Sequence, residues 1–180
     1  MDRSTKNKLC YLVAFLLLIF VFLFILNRNK ITFAPTISSI VIPTLLPKQL
    51  VKLSYVIDGD TIIVDGKKKV RYIGINTPEL KTQISPDECF ARKALDENKK
   101  ILENKQIFME KDVSEVDKYN RLLRYVWANN TFVNDYLIRN GFAKIDTYPP
   151  DTKYYLQFKQ AQQEAKDNNR GLWRECPLKY

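Results

Sequence analysis

The first pattern along the chain is an unbroken apolar run, Leu9 to Leu26, eighteen residues with no charge, Pro or Gly. That is close to the shortest helix that crosses a bilayer. Arg3, Lys6 and Lys8 precede the run and Asn27 to Lys30 follow it. The asymmetry predicts a basic cytoplasmic N-terminus at 1–8, a transmembrane or signal-anchor helix at 9–26 and the remainder outside, at the cell membrane. A cleaved signal with a secreted domain is the alternative, although the run is long for one and no small-x-small site follows Leu26. Residues 27–49 carry Pro35, Pro43 and Pro47 among Ser, Thr and aliphatic residues without a period, and read as a semi-rigid linker. The folded unit is expected at 50–180, about 130 residues, a common size for one domain.

Within it, strands come first and helices later. Val51 to Ile57 and Thr61 to Asp65 are β-rich, and Asp65-Gly66 before Lys67 to Ile75 marks a hairpin. Glu88 to Asn104 has helical spacing of Ala91, Ala94, Leu95, Ile101 and Leu102. Gln106 to Lys111 and Leu122 to Ala128 return to strand character. Phe132 to Asn140 is a short helix closed by Gly141, and Thr152 to Asn168 a third helix. Five short, mostly antiparallel strands with three helices predict an α+β fold, mainly β: a five-stranded barrel of the oligonucleotide-binding (OB) type packed against helices.

Composition narrows the chemistry. The 180 residues include no histidine, which excludes Ser-His-Asp and Cys-His hydrolases, His-dependent nucleases and Cys/His zinc modules. Carboxylates, arginines, lysines and tyrosines remain, with an oxygen-preferring cation such as Ca²⁺ or Mg²⁺. The net charge is +9; without residues 1–30 there are 24 Lys and Arg against 19 Asp and Glu, so the domain keeps +5 and suits an anionic partner.

Three clusters carry candidate chemistry. Asp58-Gly59-Asp60 lies between strand-like runs and either aims a carboxylate at a cation or is an ordinary turn. Arg71 to Glu79 is a strand with one arginine running into Asn76-Thr77-Pro78-Glu79, either a set of oxygen donors or an edge strand with its turn. Asp117-Lys118-Tyr119-Asn120-Arg121 brings a second arginine and a phenol, or is a solvated loop. Together they form a kit for metal-assisted phosphodiester hydrolysis.

In order and spacing these three motifs resemble the staphylococcal nuclease (thermonuclease) family, from about Leu50 to Glu175, with Gly171-Leu172-Trp173 similar to its closing motif. The resemblance implies an OB barrel with three helices and a Ca²⁺-dependent endonuclease acting on DNA and RNA, single-stranded or locally open, to leave 3′-phosphates. It implies Asp60, Asn76 and Thr77, the last through its carbonyl, as the metal site. Arg71 and Arg121 fall where the family holds the scissile phosphate, and Glu79 where it activates water. Lys118, Tyr119 and Tyr148 correspond to substrate-binding positions. Asn76 departs from the second metal-binding aspartate of the best-known member, removing one negative charge and predicting weaker Ca²⁺ binding. A monomer is expected.

Cys10 lies in the apolar run. Cys89 and Cys176 are the two cysteines of the exported domain, where an oxidising compartment permits a disulfide between them; free thiols are the alternative. Lys67 to Lys69 read as a solvated hairpin tip. The competing function is a catalytically weak or inactive OB module that binds nucleic acid or protein, but such a binder has no need of Asp60, Arg71, Glu79 and Arg121 together.

Overall fold

The computed structural model describes residues 15–24 and 48–176. These two stretches fall in separate compact units. Residues 15–24 are helical (α1), with apolar side chains exposed throughout. Among the described residues no helix is long and apolar enough to cross a membrane. The rest of the expected span, and the linker up to residue 47, lie outside the described residues.

The second unit is a mixed α+β fold, mainly sheet. Its strands are β1 (Gln49–Val51), β2 (Leu53–Val56), β3 (Thr61–Val64), β4 (Lys68–Tyr72), β5 (Gly74–Asn76), β6 (Ile107–Glu110), β7 (Leu122–Ala128), β8 (Thr131–Phe132) and β9 (Lys144–Asp146). Its helices are α2 (Ala91–Leu102), α3 (Val133–Arg139), α4 (Tyr155–Asp167) and α5 (Leu172–Glu175). The main sheet runs β1-β6-β7-β4-β3-β2 with β8 on β7, while β5 and β9 form a separate pair.

The expectation of five strands in a barrel is corrected in two ways. The ladder does not close: β1 pairs with β6 and β2 with β3, so its two ends are consecutive segments of one run, broken at Lys52. Lys52 turns away from both ladders to the hairpin, donating its N–H to Asp65 Oδ1 at 3.1 Å and accepting the Asp65 N–H at 2.8 Å. The run Lys67 to Ile75 is likewise two strands. Gly74, at φ +78°, sits so close to Phe158 that a Cβ would lie 2.7 Å from its ring, so the chain turns there and β5 leaves the main sheet for β9. The hairpin signal does mark a turn, with Asp65 and Gly66 both at positive φ. The three expected helices are α2, α3 and α4, each trimmed at its ends, and α5 is additional.

The core is built by Ile62 and Val64 of β3, Val70 and Tyr72 of β4, Tyr125 and Val126 of β7, Leu137 and Ile138 of α3 and Phe158 of α4. One pairing matters for function. β4 and β7 are parallel, with Arg71 opposite Leu123, which sets the loop before β7 beside Arg71. Cys89 and Cys176 are joined by a disulfide that ties the start of α2 to the end of α5. It links residues 87 apart in sequence, and closing a loop of that length removes roughly 4–5 kcal/mol of unfolded-chain entropy.

Candidate active site

The loop between β2 and β3 delivers Asp60. The residue is almost wholly buried, 3% exposed, so its carboxylate oxygens need partners. Oδ2 accepts the N–H and the hydroxyl of Thr77 at 2.8 and 3.0 Å and pairs with Arg71 Nη1 at 2.8 Å, while Oδ1 accepts from Thr61 Oγ1 at 3.1 Å. Burial pushes the acid up to about 6 and the neighbouring Asp58 charge adds to this, against Arg71 and the Thr77 hydrogen bonds. Gly59 is required by packing: a Cβ there would lie within 2.7 Å of the Thr77 side chain.

Arg71, on β4, gives Nη1 hydrogen bonds to the carbonyls of Ile75 (2.8 Å) and Tyr72 (3.3 Å), and an Nη2 bond to Asn76 Oδ1 (2.6 Å). These contacts leave Nε–H uncommitted among the described residues.

Arg121 is held within its own loop. Asp117 Oδ1 accepts the N–H groups of Tyr119 and Arg121, and Oδ2 takes Arg121 Nε at 2.6 Å and pairs with Nη2 at the same distance. Partial burial works to raise Asp117, but the Arg121 N–H and guanidinium and the Tyr119 N–H outweigh it and hold the acid below its usual value. The guanidinium lies 5.4 Å from the Tyr119 ring centroid and the Lys118 ammonium 5.0 Å from it.

Arg71, Arg121, Lys118, Tyr119 and Tyr148 line one cleft of about 400 Å³. Tyr119 and Tyr148 stand out of it, 68% and 69% exposed. Asp60 and Asn76 join this group through Arg71, and Thr77 through Asp60. Glu79 does not: it is exposed at the start of the next loop, where its N–H donates to Glu88 Oε2 (3.0 Å) and its carbonyl accepts the Glu88 N–H (2.9 Å). In the sequence Asp117 is one more residue of a polar loop; its clamp on Arg121 is a finding of the structure. The four-residue spacing of opposite charges in the polar loop was the available signal. Asp146 belongs to none of the three sequence clusters, yet it lines the cleft and its carboxylate pushes the Tyr148 phenol up.

Residues 69–175 match the family described as staphylococcal nuclease homologue. The chain belongs to the staphylococcal nuclease family. It is 38% identical over 129 residues to the thermonuclease of Staphylococcus hyicus, covering 70% of this chain and 76% of that protein. It is 39% identical over 121 residues to the thermonuclease of Staphylococcus intermedius, covering 66% and 72%. Endonuclease YncB of Bacillus subtilis (strain 168) is 38% identical over 128 residues, covering 68% of this chain and 61% of that protein.

Among the described residues no three acidic or cysteine side chains gather as a metal cluster. The available donors are the Asp60 carboxylate, the Asn76 amide oxygen and the Thr77 carbonyl, all hard oxygens of the kind Ca²⁺ takes. Asp60 Oδ1 accepts a single hydrogen bond, from Thr61, which leaves it lone-pair capacity for a cation. The donor chemistry fits, with one formal negative charge.

Proposed function

We propose that the protein is a Ca²⁺-dependent endonuclease that hydrolyses DNA and RNA, single-stranded or locally open, to 3′-phosphate products. The observation that carries this is the convergence of Arg71 and Arg121 on one cleft beside the buried Asp60 carboxylate. Each guanidinium has donors left for a phosphate after its structural contacts, and a planar fork matches two phosphate oxygens. Both donate to the scissile phosphate and offset the charge that grows on it during attack. Tyr119 and Tyr148 present rings at the rim for nucleotide contact, with Lys118 beside them. Glu79, two residues after Thr77 but outside the hydrogen-bonded group, is the carboxylate the family resemblance assigns to take a proton from the attacking water, whose oxygen bonds to phosphorus as the bond to the 5′-oxygen breaks, that oxygen taking its proton from solvent water. A Ca²⁺ ion on Asp60, Asn76 and Thr77 would polarise the phosphate and ease ionisation of water. The protein acts as a monomer.

We further infer that residues 9–26 anchor the chain with this domain outside the cytoplasm. The support is the apolar run with its basic flank and the Cys89–Cys176 disulfide, a bond that persists in oxidising compartments. Protease treatment of intact cells should remove the domain; a domain found only in the medium overturns the anchor.

The test of activity is single-stranded DNA incubated with the purified protein and Ca²⁺, with and without EGTA, beside Glu79→Ser. Cleavage abolished by chelation and lost in the variant is expected. No cleavage by the wild type, with DNA still bound, would instead make the chain a non-hydrolysing OB-type binder.

A further inference from the structure

Helix α2 buries Ala91, Ala94, Leu95 and Leu102, and with them one amide, Asn98, which is fully inaccessible. A buried amide in an apolar helix face is costly unless both its ends are paired. Here both are. Asn98 Nδ2 donates to the Asp58 carbonyl at 3.0 Å, and Oδ1 accepts from Tyr72 Oη at 3.0 Å. Tyr72 is itself 1% exposed, and its backbone N–H donates to the Asp60 carbonyl at 2.9 Å.

These bonds close a ring: Asp58 carbonyl, Asn98 amide, Tyr72 hydroxyl, Tyr72 N–H, Asp60 carbonyl. The carbonyls on either side of Gly59 are thereby fixed from the core, one by α2 and one by β4. The polarity of the ring is set, because a carbonyl only accepts, so the amide nitrogen must face Asp58 and its oxygen must face the phenol. Neither Leu nor an ionised Asp at position 98 could donate to that carbonyl. Tyr72 is also the residue after Arg71, so the same side chain that braces the Asp58–Asp60 loop belongs to the strand carrying its counter-charge.

We propose that Asn98, acting with Tyr72, is a positioning residue for the cation site: it holds the Asp58-Gly59-Asp60 loop so that the Asp60 carboxylate stays against Thr77 and Arg71 with Oδ1 open to a cation. This rests on the Ca²⁺ reading given under Proposed function. Hydrogen-bonded supports behind a metal ligand are commonly worth on the order of 10- to 100-fold in metal affinity.

The test is isothermal calorimetry of Ca²⁺ binding to the full chain and to Tyr72→Phe, Asn98→Asp and the double variant. Tyr72→Phe removes only a hydroxyl and keeps the ring that fills the core. The expected result is a calcium dissociation constant raised at least about tenfold in both single variants. The double variant should be no worse than Asn98→Asp, since both act through one ring. The Michaelis constant for an oligonucleotide should move less than the calcium constant. Asn134→Asp is the comparison, because that buried amide bridges the Val126 N–H and the Ile73 carbonyl away from this loop; it should lower stability without a matching loss of calcium affinity. Wild-type calcium binding that Tyr72→Phe leaves unchanged overturns the inference alone. A wild type that binds no calcium overturns the cation reading, and the inference with it.

Discussion

Arg71 and Arg121 line one cleft but are held in it by different means. Arg71 is braced by groups from several segments: Asp60 from the loop before β3, carbonyls of β4 and β5, and Asn76 at the end of β5. Its side chain is 12% exposed and its carboxylate partner's 5%. Arg121 is held by Asp117, four residues earlier in the same loop, with side chains 23% and 16% exposed. The first arrangement exists only when the tertiary structure does. The second is a local loop that carries its own counter-ion. Two residues with the same proposed role therefore have different structural dependence, and substitution should tell them apart.

The largest expected effect is on Arg71 and Arg121 themselves. Arg71→Ala and Arg121→Ala should each lower kcat on the order of 10²- to 10³-fold, since each removes one stabiliser of transition-state charge. Their stabilities should diverge. Near pH 8 the Arg71 variant leaves Asp60 buried without its counter-charge and should lose about 3–5 kcal/mol, whereas the Arg121 variant should lose less than about 1 kcal/mol. Urea unfolding monitored by tryptophan fluorescence measures both. Equal losses would abolish the distinction.

A smaller effect is expected from pH. Asp60, held near 6 against its ordinary 3.8, binds a proton more tightly when folded than when unfolded. Its contribution therefore favours the fold as pH falls through 6 and opposes it as pH rises across the window from about 4 to 6. Cation binding runs the other way, because it needs the carboxylate ionised. Calcium affinity should drop about tenfold between pH 7 and pH 5, while Asp117, held below its usual value, keeps its clamp on Arg121. Calorimetric titration at the two pH values checks this; a pH-independent constant would remove Asp60 as the titrating ligand.

The smallest expected effect is Asn76→Asp. It adds a negative charge beside Arg71 Nη2, now 2.6 Å from the amide oxygen, and should lower the half-saturating Ca²⁺ concentration by roughly three- to tenfold in a cleavage assay. An unchanged value would mean that Asn76 is committed to Arg71 and does not meet the cation.

The same contrast explains what the sequence made legible. The loop from Asp117 to Arg121 could be read because its contacts are local, and the α2, α3 and α4 helices because their apolar spacing is. The break at Gly74 could not: Lys67 to Ile75 is continuous in pattern, and what interrupts it is the ring of Phe158, more than eighty residues away in sequence. Lys52 is similar, since its partner Asp65 belongs to the next hairpin. At the site, Asp60, Arg71, Asn76 and Thr77 were recognisable as motif residues. That they share one hydrogen-bonded cluster depends on β3, β4 and β5 coming together, which no local spacing encodes.

The parallel pairing of β4 with β7 also bears on when the site comes into being. Its partners, Val70 with Leu122 to Tyr72 with Arg124, are about fifty residues apart, with α2 and β6 between them. Parallel ladders across so long a crossover form slowly, because the chain loses its freedom before the contacts compensate. Until that ladder registers, the two arginines belong to separate pieces of chain. A chain in which β7 has not yet paired with β4 thus has no place where one phosphate could meet both, so the proposed site comes into being only with that ladder.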